Sequence, residues 1–133
     1  MPLIRYEIGD VANEGDKSYL VNETKIFLTT KSVLGRTLGF FKTKDGSLKH
    51  THFLVQQFFY KNWIKIFQII QKGFELIICK VVLSKEPRNK DICDIERNIK
   101  KTMGNNCEIK WEFVKDLKPL KSGKYLYTVN EII

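Results

Sequence analysis

The chain has 133 residues, 43% of them hydrophobic and 12% aromatic, which suits one packed domain and argues against a disordered segment. Its formal net charge is +8, but lysine outnumbers arginine 19 to 4, a weak balance for reading bases or gripping phosphate in a bidentate way. No apolar run approaches the roughly 18 residues of a membrane helix, and the first residues lack the continuous apolar stretch of a secretion signal.

The opening segment, PLIRYEIGD over residues 2–10, reads as a strand in which Leu3 and Ile4 are apolar, Gly9 allows a sharp turn and Asp10 is presented at the end. Short strands are expected over Ser18–Val21 and Lys25–Thr30, with a turn at 13–16. Residues 38–43 and 47–49 flank Lys44-Asp45-Gly46, a hairpin signal. Thr51 is placed to cap a helix over 51–61, with Leu54, Phe58 and Phe59 on one side. Two long strands, Trp63–Gln71 and Phe74–Leu83, are expected to join at Lys72-Gly73.

After a polar loop, Asp91 is expected to cap a second helix whose Ile92, Ile95, Ile99 and Met103 form one apolar stripe, ended by Gly104 and Asn105. The alternation of Cys107, Ile109, Trp111 and Phe113 with charged residues predicts a half-buried antiparallel strand. Pro119–Lys124 reads as a loop, and Tyr125–Val129 as a short terminal strand. The sum is an α+β fold: a small, mostly antiparallel sheet with two helices on one face, preceded by a short β-rich segment. Phe40, Phe41, Phe53, Phe58, Phe59 and Phe67 are expected in the core, and His50 and His52 at the surface or capping a helix.

Charge is unevenly spread. Residues 1–39 hold five basic and five acidic side chains, residues 40–90 hold ten against three, and residues 91–133 hold eight against seven. The change of character just after Gly35-Arg36 marks a boundary, with units expected over 1–38 and 39–133. The three cysteines, Cys79, Cys93 and Cys107, are 14 residues apart in no zinc or redox pattern, so we expect buried free thiols, a cytoplasmic setting and no metal site.

Three short motifs carry chemistry. Arg5-Tyr6-x-x-Gly9-Asp10 supplies a carboxylate, Gly35-Arg36 a guanidinium, and Ser122-Gly123-Lys124 an ammonium on a loop. A carboxylate accepts hydrogen bonds from ribose hydroxyls, and the two cations can neutralise phosphate or a developing oxyanion. Each motif alone also fits a strand end, a turn arginine paired with a carboxylate, or a surface lysine.

Together these motifs resemble the C-terminal part of an AMP-forming adenylating enzyme of the acyl-CoA synthetase superfamily. The resemblance is strongest to the phenylacetate-CoA ligase branch and its CapK-like capsular-polysaccharide members. PLIRYEIGD resembles the motif ending in a ribose-binding aspartate. GRTLGFFKTKDGSLKHTHF resembles the hinge and following hairpin, WIKIFQIIQKGFELIICKVV a Phe-Gln-x-x-Gln strand before an apolar one, and PLKSGKYLYTV the closing motif with a mobile catalytic lysine. The resemblance implies that Asp10 contacts ribose, Arg36 lies near ribose or phosphate, and Lys124 contacts the carboxylate substrate and α-phosphate. Arg5, Tyr6, Gly9, Gly35 and Gly123 would support them. Gly39 stands at the hinge position, where the family usually has an aspartate.

The resemblance also implies ATP with Mg2+, and coenzyme A as one acyl acceptor. It makes a large N-terminal adenylating domain the partner that completes the site. The segment 1–38 is then expected to be the end of that large domain and 39–133 its mobile lid, so the chain is expected to bind no cofactor and to be inactive alone. Exposed strand edges in the first segment allow a homodimer through strand exchange. The alternative readings are a small basic nucleic-acid-binding module, which lacks an RNP-like motif or a Gly-x-x-Gly loop, and a non-catalytic remnant domain.

Overall fold

A computed structural model describes residues 10–15, 19–21, 25–27, 30–36 and 39–132. The chain divides into two compact units, 1–38 and 39–133. In the first, β1 (Asp10–Glu14) pairs antiparallel with β4 (Thr30–Arg36), and β2 (Tyr19–Val21) pairs antiparallel with β3 (Lys25–Phe27).

The second unit runs β5 (Phe40–Lys42), β6 (Leu48–His50), α1 (His52–Phe59), β7 (Ile64–Gly73), β8 (Leu76–Leu83), α2 (Asn89–Met103), β9 (Glu108–Phe113) and β10 (Thr128–Asn130), the expected order of strands and helices. β5 and β6 form a hairpin, and the other four strands make one sheet in the order β10-β7-β8-β9. β7 and β8 run antiparallel, while β10 lies parallel to β7 and β9 parallel to β8. Antiparallel pairs predominate among the described strands, and the fold is α+β.

The core follows from two periodicities. Every second residue of the long strands (Phe67 and Ile69 on β7; Ile77, Cys79 and Val81 on β8) meets the apolar stripes of α1 (Leu54, Phe58) and α2 (Ile95, Ile99, Met103) in one buried cluster. Both helices therefore cover one face of the sheet. Trp63 and Phe41 are fully buried in the same cluster. Each such side chain contributes about 1.5–3 kcal/mol by leaving water.

Five expectations change. The alternation in β9 suggests an antiparallel strand, but α2 carries the chain back before it pairs, so β9 runs parallel to β8. Alternation reports one buried face, not direction. The β7–β8 turn is Phe74-Glu75 rather than Lys72-Gly73, because Gly73 still pairs with Leu76. α2 starts at Asn89, so Asp91 lies in its first turn and does not cap it. Cys93 is exposed while Cys79 and Cys107 are buried, since position 93 lies off the stripe of α2. Of the six phenylalanines expected in the core, Phe53 and Phe59 are about half exposed, at 49% and 56%, and the other four are buried.

Candidate functional site

Arg5, Tyr6 and Gly9 lie outside the described residues. Asp10 opens β1, is exposed, and has Arg36, the last residue of β4, as its Cα partner across the antiparallel pair. Gly35 stands opposite Val11. The candidate carboxylate and the candidate arginine, 26 positions apart in sequence, thus meet as direct cross-strand neighbours at one end of a strand pair. Gly39 and Lys124 belong to the other unit.

Gly39 is held firmly on its carbonyl side. Its oxygen accepts hydrogen bonds from the Thr51 backbone N–H (2.8 Å) and the Thr51 hydroxyl (3.1 Å). This explains why Thr51 stands at the start of α1 without capping it through its side chain. Its hydroxyl also lies 3.4 Å from that of Thr128 on β10. The grip continues along β5. Asn130 Nδ2 donates to the Phe40 carbonyl (3.0 Å). Gln71, fully buried on β7, accepts from the Lys42 N–H (2.9 Å) and donates to the Lys42 carbonyl (2.6 Å). The Gln71 amide imitates a strand neighbour and sews the β5–β6 hairpin to the sheet. Gly39 does not use the left-handed backbone region, unlike Gly46, Gly104 and Gly123. A Cβ there would meet His50 Nε2 at 3.7 Å, an ordinary contact, so the backbone position does not require glycine for lack of space at Cβ. His50 and His52 are exposed, and His50 Nδ1 accepts from the His52 N–H at the start of α1 (3.1 Å).

Lys124 ends a tight turn. Gly123 N–H bonds to the Leu120 carbonyl (2.8 Å) and Leu120 N–H to the Lys124 carbonyl (2.9 Å), with Gly123 at φ +77°. Only glycine adopts this conformation without strain, which is why Gly123 precedes the lysine. The Lys124 side chain is exposed and makes no hydrogen bond or ion pair among the described residues. Behind the turn, Gln68 Nε2 donates to the Leu126 carbonyl (2.9 Å), and Ile69 N–H to the Tyr127 carbonyl (2.8 Å). The Tyr127 ring rests against Phe59 and Phe67, with ring centres 5.0 and 5.1 Å apart. With Tyr125 and Lys65 these rings line an aromatic cleft of about 320 Å³.

Other polar groups serve structure. Lys61 Nζ reaches one Asp91 oxygen (2.9 Å) and Trp63 Nε1 the other (3.0 Å), and the lysine beside it holds this carboxyl below its usual range. The pair fastens the α1–β7 connection to α2. Burial pushes the Cys79 and Cys107 thiols up, which leaves them unreactive. Among the described residues no group of three or more metal-ligating side chains occurs, and no helix is long and apolar enough to cross a membrane. A second cleft, of about 370 Å³, lies between the Thr43–Ser47 turn and the end of α2, and none of the candidate residues lines it.

The sequence displays Phe67-Gln68-x-x-Gln71 as a pattern without showing what its glutamines do. The available signal was physical: an amide inside an apolar strand must find a hydrogen-bonding partner. The place of Asp91 is hidden for the same reason, since its partners are 28 and 30 positions away.

A search of curated proteins gave no match. A family model described as the CapK C-terminal domain matches residues 41–131, a span that begins inside β5 and takes in Gln68, Gln71, the Lys124 turn and β10. The chain belongs to the CapK C-terminal domain family.

Proposed function

We propose that residues 39–133 of this chain are the mobile lid, and residues 1–38 the end of the large domain, of an AMP-forming carboxylate ligase of the phenylacetate-CoA ligase type, serving capsular or other cell-surface polysaccharide assembly. In the half-reaction it would assist, a carboxylate oxygen attacks the α-phosphorus of ATP and pyrophosphate departs with its magnesium. Negative charge builds on the oxygens around that phosphorus. The Lys124 ammonium, carried on a turn with no competing partner among the described residues, is suited to stabilise this charge. Asp10 would accept from the ribose hydroxyls, and Arg36, its cross-strand neighbour, would lie near ribose or phosphate. A large adenylating domain is the partner that supplies the nucleotide pocket, and the acyl group then passes to coenzyme A or another acceptor. The lid must turn between the two half-reactions, which is the use of a pivot near Gly39.

The observation that carries this reading is Lys124, exposed and without a side-chain partner among the described residues, at the end of a glycine-shaped turn in a chain of the CapK C-terminal domain family. The test is carboxylate-dependent pyrophosphate release by a polypeptide joining this chain to its adenylating domain. Lys124→Ala should lower the rate on the order of 10²–10³-fold. An unchanged rate removes the assignment.

A further inference from the structure

We infer that Gln68 is a positioning residue for Lys124, and this rests on the ligase reading only for its catalytic consequence. After β9, Val114 N–H still bonds to the Val81 carbonyl (2.9 Å). On the other side, β7 takes hold again where Ile69 N–H meets the Tyr127 carbonyl. Between those two anchors, the hydrogen bonds of residues 115–126 are local, at Asp116–Leu117 and within the Leu120–Lys124 turn, with one exception among the described residues. That exception is Gln68 Nε2 to the Leu126 carbonyl, two residues beyond Lys124.

Gln68 does what a backbone N–H of β7 would do if β10 were longer: it donates to a carbonyl of the terminal segment. It extends the attachment of the terminal strand toward the lysine at the point where strand pairing stops, since β10 begins only at Thr128. An amide suits this role because its NH2 donates to a carbonyl, and its stem lies on a strand fixed by long pairing with β8. A lysine on a tether one link longer samples a larger volume, so less of its time is spent where charge develops.

Gln68→Met keeps the stem and removes the donor. In the 133-residue chain, amide hydrogen exchange at residues 120–127 should quicken by roughly tenfold, while the amides of the β7–β8 ladder keep their native rates. Gln68→Lys, which restores a donor, should return the turn toward native exchange. Native exchange rates in Gln68→Met, with the ladder intact, would overturn the tether.

In the polypeptide joined to its adenylating domain, Gln68→Met should lower kcat for pyrophosphate release by about tenfold with KM for ATP unchanged. It should add nothing further in a Lys124→Ala background. Full additivity with Lys124→Ala would overturn the positioning role. If Lys124→Ala is itself silent, the ligase reading fails, and the exchange experiment still decides the tether.

Discussion

Two turns of the second unit share one backbone and differ in everything attached to it. Thr43–Ser47 and Leu120–Lys124 each close with a glycine N–H bonded three residues back, at 2.9 and 2.8 Å, and a flanking N–H···O pair at 2.9 Å in both. Gly46 and Gly123 sit at φ +85° and +77°. The first turn is then filled in. The Thr43 and Ser47 hydroxyls and the Ser47 N–H surround one Asp45 oxygen, and the hairpin behind it is clamped by Gln71. Among the described residues, the second turn has its backbone bonds and, two residues beyond Lys124, a single side-chain tether from Gln68 to the Leu126 carbonyl. The same local geometry thus serves a fixed corner in one place and an accessible cation in the other, and the difference lies in the side chains of the two turns.

The largest effect that would sharpen the contrast is catalytic. Lys124→Ala should cost pyrophosphate release on the order of 10²–10³-fold, whereas Asp45→Ala, in the other turn, should leave it within about twofold. Next comes stability. Gln71→Leu leaves the Lys42 N–H and carbonyl without partners in a buried place and should lower the unfolding free energy by about 2–3 kcal/mol, read from urea denaturation. A loss below about 1 kcal/mol would mean that the hairpin is not clamped.

Smaller again, Gly46→Ala and Gly123→Ala should each cost about 1 kcal/mol, because the backbone requirement is shared; unequal costs would break the equivalence of the two turns. The smallest effect is the response to acid. The Ser47 and Thr43 hydroxyls and the Ser47 N–H bring the Asp45 carboxyl down from 3.8 to about 2. Its folded value lies below the unfolded one, so its contribution is complete above about pH 4 and is lost as pH falls toward 2. Carbon-13 titration should show a single low-pH event at this turn, and Asp45→Asn should abolish it.

The parts of the molecule legible in the sequence were those set by near neighbours. Lys44-Asp45-Gly46 specifies its hairpin, and the 3, 4, 4 spacing of Ile92, Ile95, Ile99 and Met103 specifies the buried face of α2. What depended on distant partners was not legible. The direction of β9 is decided by how α2 returns the chain, and the role of Asp91 by Lys61 and Trp63. The candidate site divides along the same line. Asp10, Arg36 and Lys124 could each be chosen from a local motif, but the pairing of the first two across β1 and β4 is a matter of register between strands far apart in sequence. The glutamines of β7 were visible as oddities, and only the folded chain shows which carbonyls they hold.

The clamp on β5 has a mechanical consequence. The Gly39 carbonyl, the Phe40 carbonyl and the N–H and carbonyl of Lys42 are fastened to Thr51, Asn130 and Gln71, so the first residues of the second unit are tied at several points to its helices and sheet. In the proposed lid, torque delivered at this point would be carried by these bonds rather than taken up within the hairpin. It would enter β7 through Gln71, and the same strand would reach the base of the lysine turn through Gln68. For the proposed lid, such bonding would make the unit a lever: a small angle at the fulcrum would become a defined displacement at Lys124, and softening any of these bonds would blur that displacement before it weakened the fold.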